Sequence, residues 1–197
     1  MDVIYDCANN FIKLNKIKYH FVFVQNRKSH DIVLDFHPTD FRHATGLHHV
    51  TDIVIENNPS KLISSILQTK PLITDEKLDK SIKFKEYSPR YGSIKERVSD
   101  MRFLEKCLDS SFYMRIYQVQ PFGSQISADY FIESYCSTIS ASVYIFIRKR
   151  SESNNFVVVS FFRKKTPFIG ISTHWMLKEK ISDNITTELY RHRNYKK

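Results

Sequence analysis

Two stretches, SASVYIFIRK (140–149) and NNFVVVSFFRK (154–164), are dense in β-branched and aromatic residues, with the polar SESNN as the turn between them. Such runs pack well on a pleated surface, and a polar turn of this length joins them as an antiparallel hairpin. In the first, Ala141, Val143, Ile145 and Ile147 face one way, and Ser142, Tyr144 and Phe146 the other. SFYMRIYQV (111–119) and DYFIESYC (129–136) share the composition. The pattern predicts a C-terminal curved antiparallel sheet of about four strands, which Ile169–Thr173 is expected to extend. THWMLKEKI (173–181) is read as a closing helix, and residues from about 185 to 197 as a basic tail.

The first half reads differently. Val3, Cys7, Phe11 and Leu14 form a helical stripe over residues 3–14. IKYHFVFV (17–24) and DIVLDF (31–36) read as a hairpin across QNRKSH. Pro38-Thr39-Asp40 signals a short helix from about 40 to 45, ended by a turn at Gly46. TDIVIE (51–56) reads as a short strand, KLISSILQTK as a helix, and residues 71–93 as a connecting segment. Ile94, Val98, Met101, Leu104 and Leu108 predict one amphipathic helix over 94–108. The result is α+β with segregated elements: N-terminal helix and hairpin, central helices, then the sheet, in a single domain of 197 residues.

Charge narrows the partner. The net charge is +9, yet residues 138–197 hold 12 Lys/Arg against 4 Asp/Glu and account for nearly all of it. RKR (148–150) and RKK (163–165) flank the predicted hairpin and should lie close together. Localised positive charge favours an anionic partner, usually nucleic acid; the plain alternative is a solvated basic surface. Cys7, Cys107 and Cys136 are odd in number and widely spaced, which suits a reduced, cytoplasmic protein. The opening MDVIYDCANNF lacks a basic run followed by a long apolar one, so no signal peptide is expected. No stretch is long and apolar enough to suggest membrane insertion.

DFRHATGLHHVTD (40–52) gathers His43, His48 and His49, with His37 just before. Spacings of five and one do not match the i, i+4 ligand pairs of a helical zinc site, so no metal or other cofactor is expected, although Asp40 and Asp52 stand nearby. Proton transfer is the sharper alternative, since histidine titrates near neutrality. Ordinary hydrogen-bonded histidines are the bland one. His48 and His49 are adjacent, so at most one is expected to join a site with His43. Arg97, at the edge of the stripe on 94–108, either snorkels or points into a cleft. Tyr113, Arg115 and Tyr117 alternate on one strand face, as do residues that stack on bases and touch phosphate, or as on any amphipathic strand. Ser160, inside FVVVSFF, is a core serine or a donor in a cleft. No phosphate-binding glycine loop or GxSxG elbow occurs.

Phe41, His43, Gly46 and Leu47, followed by Asp52-Ile53, resemble the F-x-H-L-x-G-L segment of a phage-associated family of barnase/EndoU/colicin/RelE-like nucleases, its fourth branch, with Ala44 in place of a leucine. The preceding hairpin, the helix with ERV at 96–98 and the strand-rich end are similar as well. The resemblance implies helices followed by a four-stranded antiparallel sheet. It implies metal-independent RNA cleavage by 2′-OH attack, giving 2′,3′-cyclic phosphate and 5′-OH ends, in a toxin or phage-conflict effector with a protein antitoxin or immunity partner. On this reading His43 is base or acid and Arg97 neutralises the reacting phosphate. His48 or His49, Tyr113, Ser160 or Lys164 completes the chemistry. Tyr113, Arg115, Tyr117, Arg148, Lys149, Arg150, Arg163, Lys164 and Lys165 contact RNA. A non-catalytic nucleic-acid-binding module is the alternative, and an adaptor with no nucleic-acid role is a third.

Overall fold

The computed structural model describes residues 2–110, 113–118 and 126–196. The chain opens with α1 (Val3–Leu14), β1 (Ile17–Gln25) and β2 (Lys28–Leu34), then α2 (Phe41–Ala44) and α3 (Pro59–Leu67). Short helices α4 (Asp75–Leu78) and α5 (Ile82–Lys85) lead to α6 (Ile94–Met101) and α7 (Leu104–Asp109). The remainder is sheet: β3 (Tyr113–Tyr117), β4 (Tyr130–Cys136), β5 (Ala141–Lys149), β6 (Phe156–Arg163), β7 (Gly170–Ser172), β8 (His174–Ser182) and β9 (Ile185–Arg191). The architecture is α+β, as the pattern predicts.

The sheet is larger than expected. Nine strands join in the order β7-β3-β4-β5-β6-β2-β1-β8-β9, not about four. The N-terminal hairpin is part of it, because β2 runs parallel to β6 through Leu34 and Phe156. Only Thr173 separates β7 from β8, so one stretch pairs with β3 at one end and β1 at the other. That stretch curls the sheet onto itself, with the Thr173 hydroxyl donating to the Met114 carbonyl at 2.7 Å.

The stretch 173–181, expected as a helix, is therefore a strand. Its Leu, Lys and Glu favour helix locally, but β1 offers a free edge, and pairing along it overrides a propensity of tenths of a kcal/mol per residue. The expected basic tail carries β9, antiparallel to β8. TDIVIE forms no strand: Asp52 instead accepts from the Ser81 hydroxyl and the Ile82 and Lys83 amides, capping α5. The helix expected over 94–108 breaks at Arg102-Phe103, where the Phe103 amide bonds to Asp100 three residues back. Its apolar stripe continues regardless, with Leu104 and Leu108 fully buried. Residues 111, 112 and 119 of the predicted strand 111–119 lie outside the described residues.

The helices cover one face of the sheet, in a core running from Ile4 and Phe11 to Ile145 and Phe161. A second, aromatic core of Tyr117, Phe131, Tyr144, Phe146, Phe162 and Phe168 lies on the other. In β6 a bulge opposite Phe146 and Ile147 inserts Val159. The extra residue shifts the alternation, so Val158 and Phe161 both reach the first core and Ser160 turns away from it.

Candidate active site

Each end of the histidine segment is pinned. At its start the Asp40 carboxylate accepts from the His37 amide (2.7 Å) and from Arg150 (3.0 and 2.5 Å). Arg150 also grips Asp35 at 2.7 Å, tying the segment to the end of β5. Phe41 and Ala44 are fully buried, with Phe41 edge-on to Phe11 at 5.3 Å. At its end Gly46 takes φ +81°, a left-handed turn that a side chain would strain, and its amide donates to the His43 carbonyl at 3.0 Å. Residues 47–49 then form a 3-10 turn with Leu47 buried.

Arg97 comes to meet this segment. Ser93 caps α6 by accepting the Glu96 amide at 3.0 Å, and Ile94, Val98 and Met101 hold the helix on the core. Arg97 is only 8% exposed. Its Nε donates to the Tyr91 carbonyl at 3.3 Å and Nη1 to the Ser160 hydroxyl at 3.5 Å, while the guanidinium lies over Phe162 at 4.9 Å and Tyr91 at 5.5 Å. A methyl group built on Gly46 would sit 3.2 Å from Nη1, so the turn glycine abuts the guanidinium. Among the described residues no carboxylate forms an ion pair with Arg97. Burial lowers its pKa to about 10, which leaves it a cation at neutral pH.

Between these parts lies a cleft of 340 Å³, lined by Asp40, His43, His48, His49, Arg97, Arg148, Ser160 and Tyr91, with Val157, Val159 and Ile126 as apolar wall. The rings of His43 and His48 are 4.5 Å apart, and those of His48 and His49 3.8 Å. Both neighbours thus reach the cleft, where one was expected. A 3-10 turn rotates successive residues by about 120°, not the 180° of a strand, so two adjacent rings can fold over one mouth. His48 Nδ1 lies 3.3 Å from the Arg42 carbonyl; a carbonyl only accepts, so Nδ1 carries the proton and Nε2 is left free to accept. Burial holds the pKa of His48 down at about 4, with His49 adding to it. Burial, and after it Arg42 and Arg148, also lowers His43; burial and then Arg97 lowers His49. The cleft sets neutral imidazoles beside Arg97 and Arg148, and its lining carboxylate, Asp40, is paired with Arg150, so the site is chemically suited to an anion that reacts by proton transfer.

Of the residues expected here, His43, His48, Arg97 and Ser160 come together, and Arg148 joins them. The others do not. Arg150 is taken by Asp35 and Asp40, Arg163 by Asp100, Lys164 by Glu133 and Lys165 by Glu96. Folding the chain brings scattered carboxylates to the basic clusters and neutralises most of them. The side chain of Lys149 is exposed beside Arg148. Tyr117 is buried in the aromatic core and cannot stack on a base; Arg115 bonds the Ser172 hydroxyl, and Tyr113 opens onto a different groove. Asp52 is spent as a cap. Sequence reasoning missed Tyr91. Its hydroxyl is buried at the cleft with no hydrogen-bond partner among the described residues, in a stretch whose local signal is Gly92 at φ +69°.

The sequence model of the phage-Barnase-EndoU-ColicinE5/D-RelE like nuclease4 family (PBECR4) matches residues 3–195. The chain belongs to this family. Every element of the cleft falls within the matched length. Comparison with curated proteins and with solved structures returned no match.

Proposed function

We propose that this PBECR4 nuclease is a metal-independent endoribonuclease that uses the 2′-OH of RNA as its nucleophile. The observation that carries the reading is Arg97, a buried cation that no carboxylate ion-pairs among the described residues, facing three histidines held neutral by burial. A phosphodiester supplies the missing anion. His43 removes the 2′-OH proton, the oxygen attacks the neighbouring phosphorus, and the bond to the 5′-oxygen breaks. His48 and His49 are the two rings in reach to return a proton to that oxygen. The entering phosphate raises the pKa of a histidine beside it, which prepares one ring as the acid. Arg97, fixed by Tyr91 and Ser160, stabilises charge on the non-bridging oxygens in a partly dry site, where one such donor is worth about 10²–10³ in rate. The products are a 2′,3′-cyclic phosphate and a 5′-OH.

The test is incubation with total RNA in EDTA, wild type against His43→Ala, with end-group analysis. Cleavage that persists in EDTA, leaves cyclic phosphate and is lost in the variant is the expected result. A requirement for added divalent metal overturns the mechanism; salt-dependent binding with RNA left intact overturns the activity. A nuclease of this kind acts as a toxin or phage-conflict effector, so expression should arrest growth and His43→Ala should relieve the arrest.

A further inference from the structure

The imidazoles of the cleft stand in a row from His43 through His48 to His49, with ring centroids 4.5 and 3.8 Å apart. A cation stands at each end. At the His49 end, the His49 amide donates to the Gly46 carbonyl at 3.0 Å, and a methyl group on Gly46 would lie 3.2 Å from the Arg97 guanidinium. At the His43 end, Asp40 is gripped by Arg150, just past the end of β5. That end of β5 carries Arg148, which pairs across the hairpin with Val157 of the apolar wall and lines the cleft. The charges act in the same order: burial is the first cause of each lowered histidine pKa, after which Arg42 and then Arg148 act on His43, and Arg97 acts on His49. Arg148 is exposed where Arg97 is buried. Among the described residues no carboxylate forms an ion pair with Arg148, and the carboxylate of the lining, Asp40, is held by Arg150.

We infer that Arg148 is a second phosphate subsite, which holds the phosphodiester one nucleotide to the 5′ side of the bond that is cut. The inference rests on the ribonuclease reading above, and that reading gives the row a direction. His43 takes the 2′-OH proton, so the sugar whose 2′-oxygen attacks lies at the His43 end. His48 and His49 return a proton to the leaving 5′-oxygen, so the following nucleotide lies at the other end. The strand therefore runs 5′ to 3′ from Arg148 past His43, with the scissile phosphate against Arg97. The next phosphate beyond His43 is the one on the 5′ side of the attacking sugar. A guanidinium takes a phosphate through two parallel N–H bonds and stays charged throughout the working pH range. The charge on that remote phosphate does not change during the reaction. Arg148 thus binds ground state and transition state alike and acts on KM, whereas Arg97 faces the developing charge and acts on kcat.

The test uses a hexaribonucleotide spanning the junction that wild type cuts most in total RNA. One phosphate is replaced by a neutral methylphosphonate, either one step 5′ or one step 3′ of the cut. In wild type the 5′ replacement should lower kcat/KM by roughly tenfold, through KM, for the loss of one charge-assisted contact. Arg148→Gln should lose the same factor on the unmodified strand and nothing further on the 5′-modified one. The 3′ replacement should cost wild type and variant equally. A 5′ replacement that costs the variant as much as wild type overturns the subsite, as does a 3′ replacement whose cost depends on Arg148. A loss in kcat with KM unchanged also overturns it, and puts both arginines on one phosphate. RNA cleavage indifferent to the 5′ replacement removes the subsite and leaves the nuclease; total RNA left intact by wild type removes both.

Discussion

Arg97 and Arg163 cross the same helix–strand interface in opposite directions. Arg163 leaves β6 and reaches back to Asp100 on α6, with two bonds of 2.6 and 2.9 Å to a carboxylate that is 1% exposed. Arg97 leaves α6 and reaches β6, where it finds the Ser160 hydroxyl and the face of Phe162. Their pKa values diverge accordingly: Asp100 raises that of Arg163, and burial lowers that of Arg97. An arginine that holds the fold has its counter-ion in the fold. The same contrast separates neighbours on β5, where Arg150 grips Asp35 and Asp40 while Arg148 opens onto the cleft without an ion pair among the described residues. Burying an unpaired charge costs several kcal/mol, a cost that an arriving anion offsets.

The comparison breaks first at Arg163. Arg163→Met leaves the Asp100 carboxylate buried and alone, and urea unfolding should show a loss of about 3–5 kcal/mol; a loss below 1 kcal/mol would remove the distinction. Gly46→Ala comes next. A side chain at φ +81° costs about 1–2 kcal/mol, and its methyl would press on Arg97, so RNA cleavage should fall along with the unfolding midpoint. Acid sharpens the other half of the comparison. The histidine pKa values are depressed in the fold, so the unfolded chain binds more protons, and the stability of this region is full above the ordinary histidine value of 6.5 and lost as pH falls toward about 4. Inorganic phosphate should restore part of that loss in wild type, and less in Arg97→Met. The smallest effect is expected at Lys164, whose partner Glu133 sits near the surface: Lys164→Gln should change stability by less than about 1 kcal/mol and leave cleavage unaltered.

Local patterns carried the parts of the fold in which one element's period decides its structure. The stripe on residues 3–14, the alternation in SASVYIFIRK and the turn at Gly46 all appear where the sequence places them. Pairing across distance was not legible. Nothing in THWMLKEKI announces that the edge of β1 will be free to take it, and nothing in LDFHPTD announces that Arg150 will clamp it. The site divides in the same way. His43, Arg97 and Ser160 stood out because each broke a local rule: a histidine beside a turn glycine, a cation on an apolar stripe, a hydroxyl in an apolar run. Tyr91 broke none, and only packing buries its hydroxyl at the cleft. The basic clusters misled for the converse reason, since their carboxylate partners lie 31 to 115 residues away in sequence.

Arg97→Met tests the central claim most directly when unfolding and cleavage are measured on one preparation. With a buried cation removed that has no ion pair among the described residues, the free energy of unfolding should hold or rise, while RNA cleavage in EDTA falls by about 10²–10³. A variant that loses stability as Arg163→Met does, or that cuts RNA at the wild-type rate, would contradict the account.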